Sequence, residues 1–491
     1  MKLGECKAFL KSNPYKALLA LLIIAYLAFN ISLLNYSEVM NDEAAYAWQS
    51  LVIYKSPAKI MLPEVNYPYY AVIPAMAAPF NLFMKAEATT RLVSVIFGAI
   101  TLVFTFLIGK EIFGERTGLI AAAMLSVSPT FWFFAAKGLF DMPSAGLTAI
   151  GVYLILTINR KRSMLLALGT FAMYFVKTTN IVFVPLVIAG FSIKKKIRPK
   201  PKKLAMAIAA VGVLAAIAVI FSPQRLGWVF ELNYLQKNYL HYLVFFSNQL
   251  MLNLIGLYFV PLCILGIRKV SGQFSRKVAI LEAWIFFIMV PFFIIGDIVP
   301  RYLLPAVPAL MILGAVGFEE AFLKKGYWRA AASIAIPIML FSYAPAYFFS
   351  PYFGMNQQWV AESNGYGKLG TWLSENVDEN SIVFIFSKTW AKRWARFTVE
   401  QSIPNAEEQM VIAPKKEEFE GMIGECDRGY FLLLDYRTFK THMDEPWEDW
   451  LFDLNNWQGY LQEQGFGKVK EIRRDSNASF VLHTVYSKEC G

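Results

Sequence analysis

The chain has 491 residues, 56% of them hydrophobic and only 17% charged, with a mean hydropathy of +0.43. That balance excludes both an ordinary soluble domain and a disordered chain. The net charge of +11 does not point to nucleic acid, because the basic residues sit in short loops between apolar stretches, where they set topology and meet anionic membrane lipids.

Apolar runs of roughly 17–20 residues, long enough to cross a bilayer as helices, recur along the first part of the chain. In order they predict eleven transmembrane helices, near 16–34, 89–109, 117–135, 142–158, 163–176, 179–193, 204–222, 249–267, 278–296, 301–318 and 330–349. The first is too long for a signal-peptide core and lacks a small-residue cleavage site, so it reads as a retained anchor. Alternation then places one set of basic segments on the same side. These are the N-terminus with Lys2, Lys7, Lys11 and Lys16, then Arg160-Lys161-Arg162, Lys194–Lys203, Arg268-Lys269 with Arg276-Lys277, and Lys324-Lys325 with Arg329. The opposite loops are poor in Lys and Arg, which predicts a cytoplasmic N-terminus, an external C-terminus and a multi-pass protein of the cell membrane.

Two outer loops are long. The first, 35–88, carries Tyr67-Pro68-Tyr69-Tyr70 and an amphipathic stretch to Met84 suited to the membrane surface. The second, 223–248, is rich in aromatics (Trp228, Phe230, Tyr234, Tyr239, Tyr242) and reads as an interfacial belt. After Tyr352 the composition becomes that of a soluble domain. A helix is expected at Leu369–Val377, strands at Ile382–Phe386, Met410–Ile412 and Tyr430–Leu434, a helix at Trp447–Gln464 and a hairpin around 468–486. The expected architecture is therefore a polytopic α-helical membrane domain, 1–350, followed by a small extracytoplasmic α/β domain, 351–491.

Four cysteines and the histidines His241, His442 and His483 show no metal-ligand spacing, so no metal site is expected, though a divalent cation as cofactor stays open. Cys6 and Cys263 fall inside, Cys426 and Cys490 outside, where either a disulfide or two free thiols would fit.

With the sides assigned, the charges at the membrane edge sort themselves. Asp42 and Glu43 follow the first span, and Arg91 opens the second. Lys137 and Asp141 flank the junction after the third, Lys177 sits in a tight turn, and Arg301 opens the tenth. All lie on the outer side. Each also has a plain structural explanation. Asn41 or Asp42 could cap a helix with Glu43 in its first turn, and Asp141 before Pro143 has the form of an N-cap. Lys137 and Asp141 could form an (i, i+4) pair, Arg91 and Arg301 could snorkel, and Lys177 could cap carbonyls. For the single bases the structural explanation weighs more. For the acids as a set, function weighs more, because charges near hydrocarbon are costly and mark functional sites. Such a set suits transfer from a phosphate-linked lipid: a carboxylate takes the acceptor's proton while Arg and Lys bind the departing phosphate.

Five short motifs at these residues resemble the GT-C superfamily of lipid-phosphate-sugar-dependent glycosyltransferases, nearest the protein O-mannosyltransferase and lipid A aminoarabinose transferase group. They are Asn41-Asp42-Glu43-Ala44-Ala45-Tyr46, Arg91–Gly98, Phe140-Asp141-Met142-Pro143, Lys177-Thr178-Thr179 with Pro185, and Arg301-Tyr302-Leu303-Leu304-Pro305 with Pro308. The resemblance spans about residues 15–320 and implies a single sugar on a polyprenyl or dolichyl monophosphate as donor, an extracytoplasmic protein, glycan or lipid as acceptor, and inversion at the anomeric carbon. It implies Asp42 as acceptor base, Glu43 and Asp141 as positioning acids, and Arg91, Lys177 and Arg301 as phosphate contacts with Lys137 in reserve. The chain departs from the family where a His-Pro-Pro is usual and Asn66-Tyr67-Pro68-Tyr69 stands, and it has no Trp-Trp-Asp acceptor motif. The rival readings are a polytopic transporter, which would show internal repeats or paired broken helices, and a lipid-sugar flippase without transfer activity.

Overall fold

A computed structural model of the chain describes residues 13–34, 41–61, 72–157, 169, 183–184, 186–187, 259–271, 275–295, 300–323, 366–387, 397–399, 401–403, 409–412, 414–425, 428–435, 456–474 and 477–490. It divides into two compact units, Met1–Leu34 with Ile53–Tyr347, and Asn35–Val52 with Phe348–Gly491.

The first unit is helical. Its described elements are α1 (Pro14–Ser32), α3 (Val72–Ala77), α4 (Ala86–Phe113), α5 (Glu115–Ser126), α6 (Pro129–Ala135), α7 (Asp141–Leu156), α8 (Val260–Ser271), α9 (Arg276–Ile295), a 3-10 segment Pro300–Ala306 and α10 (Val307–Phe318), which ends in a π turn at Glu319–Leu323; α2 (Asn41–Lys55) belongs to the second unit as far as Val52. Among the described residues, Pro14–Ser32, Ala86–Phe113 and Arg301–Phe322 are long and apolar enough to cross a membrane. The predicted spans 16–34, 89–109, 142–158, 278–296 and 301–318 thus meet helices, and 249–267 does so in part, at α8. Most or all of the spans 163–176, 179–193, 204–222 and 330–349 lies outside the described residues, as does the aromatic loop 223–248.

The span predicted as one helix at 117–135 is two. Pro129 disfavours the helical conformation at Ser128 and has no amide to donate, so α5 stops at Ser126 and α6 starts at Pro129. The reversal from α4 to α5 is made by Gly114 at φ +111°, a conformation that L side chains rarely adopt. Beyond it the helices touch backbone to backbone, since a Cβ on Gly109 would lie 2.7 Å from the Gly118 Cα. Between α8 and α10 the approach is as close: a Cβ on Gly317 would collide with the Leu262 carbonyl, and one on Gly266 with that of Leu313. Small residues at helix contacts serve association where no water drives it.

At one end of this bundle, ion pairs join the helix ends. Lys277 Nζ donates to the Glu111 carboxylate at 2.8 Å and to its carbonyl at 2.7 Å. Thr117 donates to Glu319 at 3.0 Å, and Lys269 lies 3.5 Å from Glu320. Half-exposed pairs are each worth about 0–1 kcal/mol, so the network fixes register more than it adds stability.

The second unit holds a five-stranded sheet in the order β2-β1-β3-β5-β4, from β1 (Ile382–Ser387), β2 (Met410–Ile412), β3 (Tyr430–Asp435), β4 (Gly467–Arg474) and β5 (Asn477–Lys488). β2, β1 and β3 run parallel, and β5 and β4 close the sheet as an antiparallel hairpin. Alternate residues Phe384, Phe386, Tyr430, Leu432, Leu434 and Tyr486 face a core filled by Phe419 and Ile423 of α12 (Lys416–Glu425) and by Leu461 of α13 (Trp457–Glu463). On the other face Trp372 of α11 (Tyr366–Asn376) meets Phe431 edge-on at 6.2 Å. The strands and hairpin fall where the sequence predicts them; of the helix expected over Trp447–Gln464, the described part is α13. Cys490 packs against this core and is disulfide-bonded, Cys263 is a buried free thiol, and Cys426 lies outside the described residues.

Candidate active site

The first-unit charges are built from the helix ends. Arg91 lies in the second turn of α4, 1% exposed, and its Nη1 donates to the Leu34 carbonyl at the end of α1 at 2.6 Å. One turn on, Ser94 donates through Oγ to the Leu139 carbonyl at 3.1 Å. That bond draws the loop 136–140, between α6 and α7, onto the α4 face that carries Arg91. Gly138 makes the approach possible: a Cβ there would lie 2.4 Å from Thr90 Oγ1 and 3.3 Å from the Arg91 amide nitrogen. Inside the loop the Leu139 amide donates to the Lys137 carbonyl at 2.8 Å, a tight turn that bends the chain between the helices. Lys137 is 0% and Asp141 3% exposed.

This geometry changes three of the structural explanations open from sequence. Arg91 does not snorkel, because it is enclosed and bonded to a main-chain carbonyl. Lys137 and Asp141 are not an (i, i+4) pair on one helix, because residues 136–140 leave the helix between them. Asp141 is not the cap of α7 but stands in its first turn, with Phe140 at the cap position, where its carboxylate faces the positive end of the helix dipole.

Arg301 stands in the 3-10 segment Pro300–Ala306, which packs against α6 and α7, and its guanidinium lies over the Tyr302 ring at 5.5 Å. The prolines at 305 and 308 account for the tighter winding where a regular helix was expected. Tyr26 of α1 seats its hydroxyl against the same α4 face, donating to the Val95 carbonyl at 3.3 Å, and the absence of a side chain at Gly98 leaves room for it.

Of the seven charges singled out from sequence, the structure thus brings the segments of Arg91, Lys137, Asp141 and Arg301 together in the first unit. Asp42 and Glu43 belong to the second unit, in the first turn of α2, 8% and 0% exposed. Lys177 lies outside the described residues. Sequence reasoning gave no role to Tyr26, Thr90, Ser94 and Gly138, which carry no charge; of these only Ser94 falls within a motif, Arg91–Gly98. Among the described residues no group of three or more His, Cys, Asp or Glu side chains is placed to hold a metal ion.

Chemically, the arrangement offers two enclosed cations and a carboxylate near helix ends inside a bundle whose other buried polar groups, such as Thr90, Ser94 and Ser144, are uncharged. Burying such groups costs several kcal/mol each unless partners compensate. Arg91 meets part of that requirement through the Leu34 carbonyl, and neither Lys137 nor Asp141 is without a partner.

The family described as dolichyl-phosphate-mannose-protein mannosyltransferase matches residues 72–226, the stretch that contains Arg91, Lys137 and Asp141. No curated protein matches the chain. Among solved structures the chain is similar to ArnT from Cupriavidus metallidurans in the apo state, at 12% identity and a TM-score of 0.64, over 95% of this chain and 97% of that one. It is similar to the same protein bound to undecaprenyl phosphate, at 12% identity and a TM-score of 0.59, over 97% and 98%. A third is the archaeal oligosaccharyltransferase AglB from Archaeoglobus fulgidus in complex with an inhibitory peptide and a dolichol-phosphate, at 11% identity and a TM-score of 0.51, over 87% and 70%. The chain therefore has the fold of these membrane proteins, and the resemblance read from its motifs holds.

Proposed function

We propose that this chain is a membrane glycosyltransferase that moves a single sugar from a polyprenyl- or dolichyl-phosphate carrier to an extracytoplasmic protein, glycan or lipid, with inversion. The observation that carries the reading is the burial of Arg91, Lys137 and Asp141 where α1, α4, the loop 136–140 and α7 meet. Enclosed charges in a membrane bundle are kept for a purpose, and the similar ArnT structure is one bound to undecaprenyl phosphate.

In this reading Asp42 takes the proton from the acceptor hydroxyl, and the freed oxygen attacks the anomeric carbon from the face opposite the phosphate. The bond from that carbon to the phosphate oxygen breaks, and its electron pair leaves with the lipid phosphate. Arg91, Lys177 and Arg301, with Lys137 in support, hold that phosphate and stabilise the charge growing on it, so no acid is needed to release it. Glu43 and Asp141 orient acceptor and donor.

The membrane domain covers residues 1–350 with eleven spans and a cytoplasmic N-terminus, and the α/β domain 351–491 lies outside the cell membrane. The positive-inside pattern supports this arrangement. So does the disulfide at Cys490, which fits an oxidising compartment.

The test supplies the purified protein with radiolabelled polyprenyl- and dolichyl-phosphate sugars and an envelope fraction as acceptor. Transfer of label with inverted anomeric configuration is expected. Movement of the lipid-linked sugar across vesicles with no transfer would identify a flippase instead.

A further inference from the structure

We propose that Ser94 and Gly138 are positioning residues that bolt the loop 136–140 to α4, setting Lys137 and Asp141 against Arg91. The inference rests on the lipid-phosphate reading above and adds to it two uncharged residues that touch no reacting group.

Three contacts make the bolt. The Ser94 hydroxyl holds the Leu139 carbonyl at 3.1 Å. Gly138 lies so close to α4 that a Cβ would sit 2.4 Å from Thr90 Oγ1 and 2.9 Å from Thr90 Cβ, under the 3.0 Å that real Cβ atoms essentially never breach. The turn between Lys137 and Leu139, with its 2.8 Å amide-to-carbonyl bond, then leaves the loop little freedom to adjust. Arg91 itself is fixed from the other side by the Leu34 carbonyl. A cation on a non-helical loop and a carboxylate in the first turn of the helix that follows it are thereby held in register with an arginine on another helix. A site that must enclose a phosphate needs this, since displacements of about 1 Å weaken charge-assisted bonds and catalytic geometry alike.

The experiment compares the full chain with Gly138→Ala, Ser94→Ala, the pair Gly138→Ala with Thr90→Gly, and Gly421→Ala as control, Gly421 having nothing within 4 Å of an added Cβ. Two quantities are read in detergent: affinity for undecaprenyl phosphate, and hydrogen exchange of the amides at 137–142. Gly138→Ala should weaken binding roughly ten- to hundredfold, as much as losing one hydrogen bond to a charged group, and speed exchange in the loop, with the melting temperature lowered by a few degrees, at most about ten, by the collision and the chain still folded. Ser94→Ala should do the same more weakly. Thr90→Gly should restore affinity to Gly138→Ala by removing the collision, and the control should match the unaltered chain.

Unchanged affinity and exchange in both single variants would overturn the proposal, and so would a loss of affinity matched by general loss of folding that Thr90→Gly does not repair. If the unaltered chain fails to bind undecaprenyl phosphate or a dolichyl phosphate, the reading of the site falls and the proposal with it. Loop exchange that still responds to Ser94→Ala would in that case identify a bolt of purely structural use.

Discussion

Arg91, Lys137 and Asp141 are enclosed in a bundle where each charge is costly, and their neighbours show how the cost is met. Arg91 is bonded to a carbonyl left over at the end of α1, and Asp141 stands at the favourable end of the α7 dipole. The sequence made these charges visible as a set, since the resemblance and the positive-inside pattern both single them out. It did not show how they are held. Gly138 stands outside every motif and Ser94 is inside one without a role of its own, so their part emerges only when two distant segments lie together. Arg301 differs from Arg91 in being less enclosed and in facing the Tyr302 ring. If it is a phosphate contact in both ground and transition states, Arg301→Ala should raise the apparent dissociation constant for the donor and lower kcat/KM together, by roughly ten- to hundredfold. A fall in kcat with unchanged donor affinity would assign it another role.

Helices were legible in the sequence where apolar periodicity is long and unbroken, as in α1, α4 and α9. They were misread where proline intervenes: the break at Ser128 and the 3-10 segment before Val307 both follow from a proline whose effect on its neighbours outweighs the hydropathy of the window. The central strands of the second unit, β1 and β3, were legible as short continuous apolar runs, because both of their faces are buried. Contacts of α12 and α13 with the sheet and with each other could not be read in advance. One of them has a pH signature. The Tyr460 hydroxyl of α13 is raised above the ordinary tyrosine value, by burial first and then by its 2.9 Å bond to Glu420 of α12. The neutral phenol is thus favoured in the folded state, and the stability it contributes is present below the unfolded value of about 10 and is lost as pH rises beyond it. Tyr460→Phe should therefore flatten the alkaline fall in melting temperature between about pH 9 and 11; an identical fall in both proteins would show that the bond contributes nothing.

At the scale of the whole molecule, the fold matches ArnT over nearly the full length of both chains at 12% identity, so what is shared is an arrangement of helices and a sheet more than a set of side chains. The sequence carried part of that arrangement in its hydropathy, which constrains a membrane chain along its length. The identities of sugar and acceptor are not written in such patterns, because a few contacts decide them. The central claim is that the outer acids and cations perform transfer from a lipid phosphate, with Asp42 as the base. The most direct measurement is turnover and donor affinity of Asp42→Asn beside the unaltered protein, using the labelled lipid-phosphate sugar that the protein accepts. Asparagine keeps the size of the side chain but cannot take a proton at neutral pH. Turnover should fall about 10²–10⁴-fold while donor affinity stays within about a factor of two. Turnover that survives the substitution, or falls only in step with donor affinity, would contradict the account and return Asp42 to the role of a helix-end charge.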